Sequence, residues 1–166
     1  MDRPVPCRLQ GGGASAEGAV SIVVKNLQTK LPINSRVLRL IKNAVRKTLE
    51  SEKSQNSGEI TVCLVDDRHI TSLNRRYLKT NRPTDVIAFT ISKKPIMADI
   101  AISAPTAISN AKIFRTSPVY ELLLYAVHGT LHVLGYDDKT MRLRTIMQRK
   151  AEHILTSLGV IKNGHS

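Results

Sequence analysis

The sequence predicts a small α+β domain in which one mixed sheet of about four strands is covered by helices. Three observations lead to this prediction. Four short segments have the alternation or β-branched content of strands, and five longer segments have helical apolar spacing. Strand-like and helical segments are interspersed, with no internal repeat. The 166 residues are the length of one domain that can bury an ordinary core.

The folded part is predicted to begin at residue 19. Residues 1–18 are rich in glycine, alanine and proline, a composition that predicts a disordered tail. The β-branched run at residues 20–24 predicts the first strand. Asn34 or Ser35 then caps a helix, because both residue types accept hydrogen bonds from helix N-termini. Its apolar positions follow helical spacing: Val37, Leu38, Ile41, Ala44, Val45 and Leu49.

The middle of the chain alternates between strands and a short helix. Residues 59–65 alternate enough in hydropathy to predict a second strand. Asp66 or Asp67 then caps a short helix. Residues 84–90 and 99–103 are two further strand candidates, since both are rich in β-branched and apolar side chains.

Three helices are predicted in the last third of the chain. A helix near residues 105–114 precedes a strongly apolar helix, which Pro118 begins at a position where proline is well tolerated. A last helix is expected at about residues 139–158. The folded domain is therefore expected to span residues 19–160, and residues 161–166 are expected to form a flexible tail.

The charge of the chain favours a polyanionic partner. Lysine and arginine number 25 against 13 aspartates and glutamates, which gives a net charge of +12 and a pI near 10.1. Nucleic acid is the commonest partner of so basic a domain, although a merely soluble basic protein is the alternative. With two Phe, four Tyr and no Trp, broad base-stacking surfaces are not expected. Contacts to phosphates should dominate the affinity instead.

The sequence favours a cytoplasmic location and leaves an organellar one open. Cys7 and Cys63 read as two isolated thiols, which make neither a disulfide framework nor a CxxC metal site. No apolar run approaches the roughly twenty residues needed to cross a bilayer, and no signal-peptide core is present, so no membrane partner is expected. The oligomeric state is not fixed by the sequence.

The segment that follows Pro118 carries the pattern of a catalytic metal site. His128 and His132 are four residues apart on one face of the apolar helix, so both can bind the same ion. Gly135 then favours a left-handed helix end, and Asp137 and Asp138 bring carboxylates back toward the histidines. Spacing alone does not say which aspartate would bind. Two imidazoles and one carboxylate leave an open coordination position, as in catalytic zinc sites.

A chance pair of surface or core histidines is the alternative to a metal site. The flanking helix is strongly apolar, however, and histidines buried in it need partners because an unpaired buried polar group costs a few kcal/mol. A zinc ion supplies those partners, and another divalent metal could replace it. Such an ion lowers the pKa of a bound water and polarises a phosphoryl oxygen.

Gly129 stands where metalloproteases of the HExxH type have their general-base glutamate. A peptidase of this type would therefore lack its base, which argues against a peptide substrate. The glycine would keep space beside the metal for a bulky substrate, or would allow the helix to pack closely.

Three motifs make the chain resemble the YbeY endoribonuclease family. The family signature H-G-x-L-H-x-x-G-Y-D-H is matched from His128 through Asp137. The family blocks L-N-x-x-Y, P-T-D-V and D-I-x-I-S are matched by Leu73, Asn74 and Tyr77, by residues 83–86, and by residues 99–103. The resemblance extends from about residue 20 to residue 158.

The resemblance implies roles for the individual site residues. His128, His132 and Asp138 would be both the metal ligands and the catalytic set, with Asp138 replacing the family's third histidine. Asp137 would shape the turn. Asp85 would either contact and orient the residues that bind the metal or have only the structural role of capping its own turn. Residues 99–103 and 79–85 would border the cleft.

The resemblance also implies the substrate. It predicts a zinc-dependent hydrolase, an endoribonuclease that favours single strands and acts on ribosomal RNA or ribosomal particles, in ribosomal RNA maturation, ribosome biogenesis and quality control. Leu78 stands where many relatives have an arginine, and neighbouring basic residues are the candidate RNA contacts: Arg75, Arg76, Lys79 and Arg82. At Leu78 and Asp138 the chain differs from the family pattern. These two differences favour the alternative hypothesis, a catalytically weak or inactive ribosome-assembly or RNA-binding factor. A hydrolase of another phosphodiester or of a peptide is a third hypothesis.

Overall fold

The structure, a computed structural model, describes residues 19–54, 57–78 and 84–162. Within these residues the chain forms four strands and five helices. In chain order they are β1 (Val20–Asn26), α1 (Ser35–Ser51), β2 (Gly58–Val65), α2 (Asp67–Leu78), β3 (Val86–Lys93), β4 (Ile96–Ser103), α3 (Ala104–Phe114), α4 (Pro118–Val133) and α5 (Met141–Ser157). The predicted α+β class and the single mixed sheet are confirmed.

The four strands form one sheet in the order β1-β2-β4-β3. β1, β2 and β4 are parallel, and β3 runs antiparallel to β4 as an edge strand. Parallel strands are normally covered on both faces, because their crossover connections place helices there. This arrangement explains why β2 and β4 are almost uniformly buried instead of alternating with exposed positions.

Side chains of β2 point alternately into two cores. Ile60, Val62 and Leu64 belong to the main core, which also contains the buried faces of α1, α4 and α5. Cys63 and Val65 point to the opposite face, into a smaller cluster beneath α2. Cys63 is disulfide-bonded in the structure, so the expectation that it is an isolated thiol is wrong.

Helix α4 is the centre of the main core. The Ser117 hydroxyl accepts a hydrogen bond from the Tyr120 amide at 3.0 Å, and Pro118 occupies the first turn, as the sequence predicts. Nearly every side chain from Tyr120 to Val133 is buried, so α4 contacts the sheet on one side and other helices around the rest of its circumference.

The remaining element bounds differ little from the predictions. Asn34 caps α1, and the Asp66 carboxylate caps α2 through the His69 amide at 2.8 Å. β4 starts at residue 96, three residues before the predicted strand, and forms a hairpin with β3. No helix among the described residues is long and apolar enough to cross a membrane. The predicted tail at residues 1–18 lies outside the described residues.

Candidate active site

A cleft of about 960 Å³ opens between the start of β3, the C-terminal half of α4 and the first turns of α5. Its floor contains His128 and His132 from α4. Asp138, from the loop between α4 and α5, lies at the same cleft, and residues 84–88 form the opposite wall. The fold therefore brings the predicted histidines and Asp138 into one concave site.

The end of α4 sets the orientation of His132. Gly135 has a φ of +102° and its amide bonds the His132 carbonyl at 3.0 Å, while the Tyr136 amide bonds the Leu131 carbonyl at 3.0 Å. This pair of hydrogen bonds is the Schellman motif, and it confirms the predicted glycine helix end. The turn places the Tyr136 carbonyl 3.0 Å from His132 Nδ1.

This contact defines the form of the His132 ring. A carbonyl oxygen only accepts hydrogen bonds, so Nδ1 must carry the hydrogen and donate it to Tyr136. In the neutral imidazole, Nε2 is then left with its lone pair, which is the form that binds metals. Metal-binding histidines in proteins are commonly held through the other ring nitrogen in this way.

Nε2 of His132 faces a carboxylate. It lies 3.6 Å from Asp138 Oδ2. A lone pair and a carboxylate oxygen repel each other unless a proton or a cation lies between them. The Asp138 side chain is 55% exposed, so it can adjust its position at little cost. The pair therefore fits a divalent ion, although an ionic pair with protonated His132 would satisfy the same geometry.

His128 contributes a buried nitrogen without a partner. Its Nε2 atom is shielded from solvent and has no hydrogen-bond partner in the part of the chain that the structure describes. Burial lowers the pKa of His128, and the negative charge of Asp85 opposes this shift only in part. The neutral ring is therefore favoured, and a metal ligand must be neutral in the same way.

The three side chains do not form a complete metal site by themselves. Across residues 19–54, 57–78 and 84–162, no three His, Cys, Asp or Glu side chains converge as a ready ligand set. The donor chemistry nevertheless fits zinc, because the unpartnered Nε2 of His128 and the oriented Nε2 of His132 share the cleft with a carboxylate. The ligand assignment stays a prediction.

The carboxylates of Asp137 and Asp85 each accept a hydrogen bond from a backbone amide. Asp137 accepts a hydrogen bond from the Lys139 amide at 3.0 Å, which is a turn-shaping contact. Asp85 accepts one from the Val86 amide at 2.8 Å, and its carboxylate also borders the cleft, close enough to His128 to influence its pKa. Asp85 thus has both features that the sequence left open, a local cap and a position beside the histidines.

Two of the four predicted RNA contacts can be compared with the cleft. Arg75 and Arg76 are exposed on the last turns of α2 and are not among the described residues that line it, whereas Lys79 and Arg82 lie outside the described residues. Two arginines that the sequence reasoning missed, Arg144 and Arg149 on α5, do line it. Their basic character was visible, but only the packing of α5 beside α4 shows that they face the histidines.

The prediction that residues 99–103 border the cleft is wrong. Residues 99–103 in β4 do not line the cleft, because β4 is covered by α4 and buried in the centre of the sheet. The start of β3 takes this place. Of the expected border at residues 79–85, Thr84 and Asp85 are described and line the cleft.

Gly129 serves helix packing. A Cβ atom at this position would lie 2.5 Å from Ile100 Cγ2 and 3.1 Å from Val86 Cγ2. The α carbon therefore faces the sheet, and the suggestion that it keeps space for substrate is wrong. A glutamate could not be accommodated at this position without displacing the sheet, which removes the general base of an HExxH peptidase on structural grounds as well.

Comparison with known proteins agrees with this fold and motif set. Residues 23–159 match the family described as Endoribonuclease YbeY. The chain is 34% identical to an Endoribonuclease YbeY of Desulforamulus reducens over 151 residues, covering 85% of this chain and 99% of the relative. It is 36% identical to one of Carboxydothermus hydrogenoformans over 140 residues, covering 82% and 96%.

The fold is also that of a solved structure. The solution structure of TM1509 from Thermotoga maritima matches with a TM-score of 0.57 and 23% identity, over 83% of this chain and 91% of that one. Together with the motifs around the cleft, the family match identifies the class of protein. The chain belongs to the YbeY endoribonuclease family.

Proposed function

We propose that this chain is a metal-dependent endoribonuclease that favours single-stranded RNA and acts in ribosomal RNA maturation and ribosome quality control. The observation that carries the proposal is the arrangement at the end of α4. A tautomer of His132 fixed by Tyr136 presents Nε2 toward Asp138, beside the unpartnered Nε2 of His128. The family to which the chain belongs supports RNA as the substrate.

His128, His132 and Asp138 would hold the ion, which we propose to be zinc. When bound there, it would lower the pKa of a water and polarise a phosphoryl oxygen. The remaining work falls to side chains of the cleft. Arg144 and Arg149 line the cleft, and their positive charges would stabilise the negative charge that increases on the phosphodiester during cleavage. The hydrogen bond from His132 to Tyr136 prevents the ring from turning as substrate enters.

Single strands suit this cleft better than duplexes. Its floor is formed by the side chains of α4, and the backbone of an unpaired strand can bend to reach them, whereas a rigid duplex cannot. The net charge of +12 would attract ribosomal RNA over longer distances, and this attraction weakens as salt is added.

The test is a cleavage assay on the full chain with matched single-stranded and duplex RNA of one sequence. We expect internal cuts in the single strand, slower cutting of the duplex, and no cutting of casein. Cleavage of casein without cleavage of RNA would contradict the proposal.

A ribosome-assembly factor without nuclease activity is the second candidate, and Asp138 favours it because relatives with the full signature have a histidine there. Salt-sensitive binding to ribosomal particles, with no RNA cleavage under any metal supplement, would support this candidate over the nuclease.

A further inference from the structure

Helix α5 presents two unpaired arginines to the cleft. Arg144 and Arg149 are exposed and line the same wall as Met141, which is 75% exposed. Neither guanidinium forms a salt bridge with a carboxylate of the described residues. On the same helix, Lys150 does have such a partner, since its ammonium lies 3.0 Å from Glu52 Oε1. The positive charges of the cleft wall are therefore available to a ligand.

The chemistry of this wall matches a sugar–phosphate backbone. A guanidinium offers planar, paired donors that bind phosphate oxygens in a bidentate manner, and it can also stack on a base. The exposed Met141 adds an apolar surface beside the arginines, on which an unpaired base can rest. Histidines on α4 and arginines on α5 line the same cleft, so a strand bound there would contact both.

We propose that Arg144 and Arg149 bind backbone phosphates of the single-stranded RNA on the α5 side of the cleft. This inference rests on the proposed function in one respect, that RNA is the ligand. It adds two contact residues to those that the sequence predicts.

The experiment separates binding from cleavage. Fluorescence anisotropy with a short single-stranded RNA is measured in chelator across a range of salt concentrations. For single strands, each phosphate contact contributes about 0.7 to the slope of log affinity against log salt, so the double variant R144A/R149A should lower the slope by about 1.4. The charge-matched control R36A/R39A removes two exposed arginines of α1, which do not line the cleft, and should leave the slope close to that of the wild type.

Three outcomes decide this proposal. A reduced slope in R144A/R149A alone supports it, even if the wild type cleaves no RNA and the proposed function fails. An unchanged slope overturns it. An equal reduction in R36A/R39A also overturns it, because the effect would then belong to total charge and not to the cleft.

The loop between α4 and α5, which contains Asp138, is anchored to two other parts of the chain. The Tyr136 hydroxyl donates a hydrogen bond to Glu52 Oε2 at 2.5 Å. Lys150 Nζ donates to Glu52 Oε1 at 3.0 Å and lies 5.2 Å from the centre of the Tyr136 ring. These contacts join three parts of the chain: the C-terminal end of α1, the loop after α4, and α5.

Tyr136 contacts both Glu52 and His132, and so connects this group of contacts to the His132 ring. Its hydroxyl is held by Glu52, while its backbone carbonyl accepts the hydrogen bond from His132 Nδ1. The hydrogen bond to Glu52 restrains the Tyr136 side chain and with it the loop backbone, and a displacement of that backbone would move the carbonyl. The side chain of Glu52 is only 17% exposed, so solvent weakens its hydrogen bonds little.

We infer that Glu52 is a positioning residue for His132. Glu52 contacts neither the proposed metal nor the substrate, and it acts through Tyr136 by fixing the carbonyl that holds the His132 ring. This inference rests on the proposed function only in that a metal ion binds His132. The orientation of the His132 ring does not depend on the proposed function.

The test compares Glu52→Ala, Glu52→Gln and the control Glu50→Ala. Loss of a group that orients a ligand typically weakens metal binding by about 10- to 100-fold. We expect Glu52→Ala to weaken zinc binding in chelator competition by about 10-fold. Glu52→Gln should restore most of the affinity, because an amide oxygen still accepts the hydrogen bond from Tyr136. Glu50 is exposed on the same helix turn, and its replacement should have no effect.

A second measurement does not require the metal. Long-range ¹H–¹⁵N NMR of the metal-free protein reports which nitrogen of His132 carries the hydrogen, and the Nδ1–H form should be less populated in Glu52→Ala. Tyr136→Phe should produce the same loss, and combining it with Glu52→Ala should add nothing further.

These results can fail independently. If Glu52→Ala keeps both the zinc affinity and the Nδ1–H population of the wild type, the positioning role is wrong. If the wild type binds no divalent metal, the proposed function fails, and the tautomer measurement alone then decides the role of Glu52.

Discussion

Asp138 stands where the family signature has a histidine, and the exchange changes the charge of the site. In the proposed ligand set, a carboxylate in place of a neutral imidazole would make the site one charge more negative. Oxygen ligands also favour harder ions such as manganese, relative to a set of three nitrogens. The chain should therefore discriminate less between zinc and manganese than its relatives with the full signature.

Replacing Asp138 tests this argument. We expect Asp138→His to increase the preference for zinc over manganese, measured as the ratio of the two dissociation constants. Asp137→His is the matched control, since the Asp137 carboxylate binds the Lys139 amide. If Asp137→His changes the metal preference and Asp138→His does not, the metal ligand is Asp137 and the assignment of Asp138 is wrong.

Gly129 is a residue whose role is packing, and its replacement should destabilise the fold. Alanine improves helix propensity by about 1 kcal/mol, but overpacking in a core costs about 1–3 kcal/mol. Ile100 is fully buried and β-branched, so its Cγ2 atom cannot easily move away from a new Cβ. We therefore expect an overpacking cost in the upper part of this range, about 2–3 kcal/mol, so that Gly129→Ala lowers the free energy of unfolding by about 1–2 kcal/mol in denaturant titrations.

A double-mutant cycle with Ile100→Ala identifies the cause. That change removes the Cγ2 atom, so Gly129→Ala should be less harmful, or neutral, in its presence. Equal costs in both backgrounds would show that the clash with Ile100 is not the reason.

At the scale of elements, the contact among α1, the loop after α4 and α5 predicts a pH dependence. Burial raises the pKa of Glu52, but the hydrogen bonds from Tyr136 and Lys150 and the charge of Lys150 outweigh it, so the folded-state pKa lies below 4.5. The folded state binds this proton less readily than the unfolded state. The contribution of Glu52 is therefore complete above pH 4.5 and is lost as the pH falls through the folded-state pKa.

We expect Glu52→Gln to flatten the stability curve in acid. Between about pH 5 and pH 3, the free energy of unfolding of the wild type should fall more steeply than that of the variant. Denaturant midpoints measured at several pH values check this prediction. Parallel curves would mean that Glu52 titrates alike in the folded and unfolded states.

Features that depend on one helical turn were predictable from the sequence. Asn34 at the start of α1, Pro118 at the start of α4 and Gly135 at its end act through contacts within four residues. The hairpin of β3 and β4 was not predicted, because the strands predicted at residues 84–90 and 99–103 left too long a gap for the two-residue turn that joins them.

In the candidate site, too, local features were predictable from the sequence and features that depend on packing were not. The spacing of His128 and His132 places both histidines on one helix face, so their proximity was predictable. Asp138 needed the family signature to distinguish it from Asp137. The cleft arginines Arg144 and Arg149 were missed because only the packing of α5 against α4 turns them toward the histidines.

For the molecule as a whole, we expect the fold to be independent of the proposed metal, since the main core contains none of its proposed ligands. The main core consists of apolar side chains from the sheet and from α1, α4 and α5, and the cleft lies at its edge. We expect chelated protein to keep its circular dichroism spectrum and a cooperative thermal transition. Added zinc should then raise the midpoint as its concentration exceeds the dissociation constant. Unfolding on chelation would assign the metal a structural role instead.

We propose above that His128, His132 and Asp138 hold one ion that the chain needs to cleave RNA. Metal analysis of the purified chain, combined with cleavage of single-stranded RNA by the wild type and by His132→Ala, tests it most directly. We expect one divalent ion per wild-type chain, cleavage that stops in chelator and returns with zinc, and loss of both metal and cleavage in His132→Ala. Undiminished metal content and cleavage in His132→Ala, or cleavage by a metal-free wild type, would contradict it.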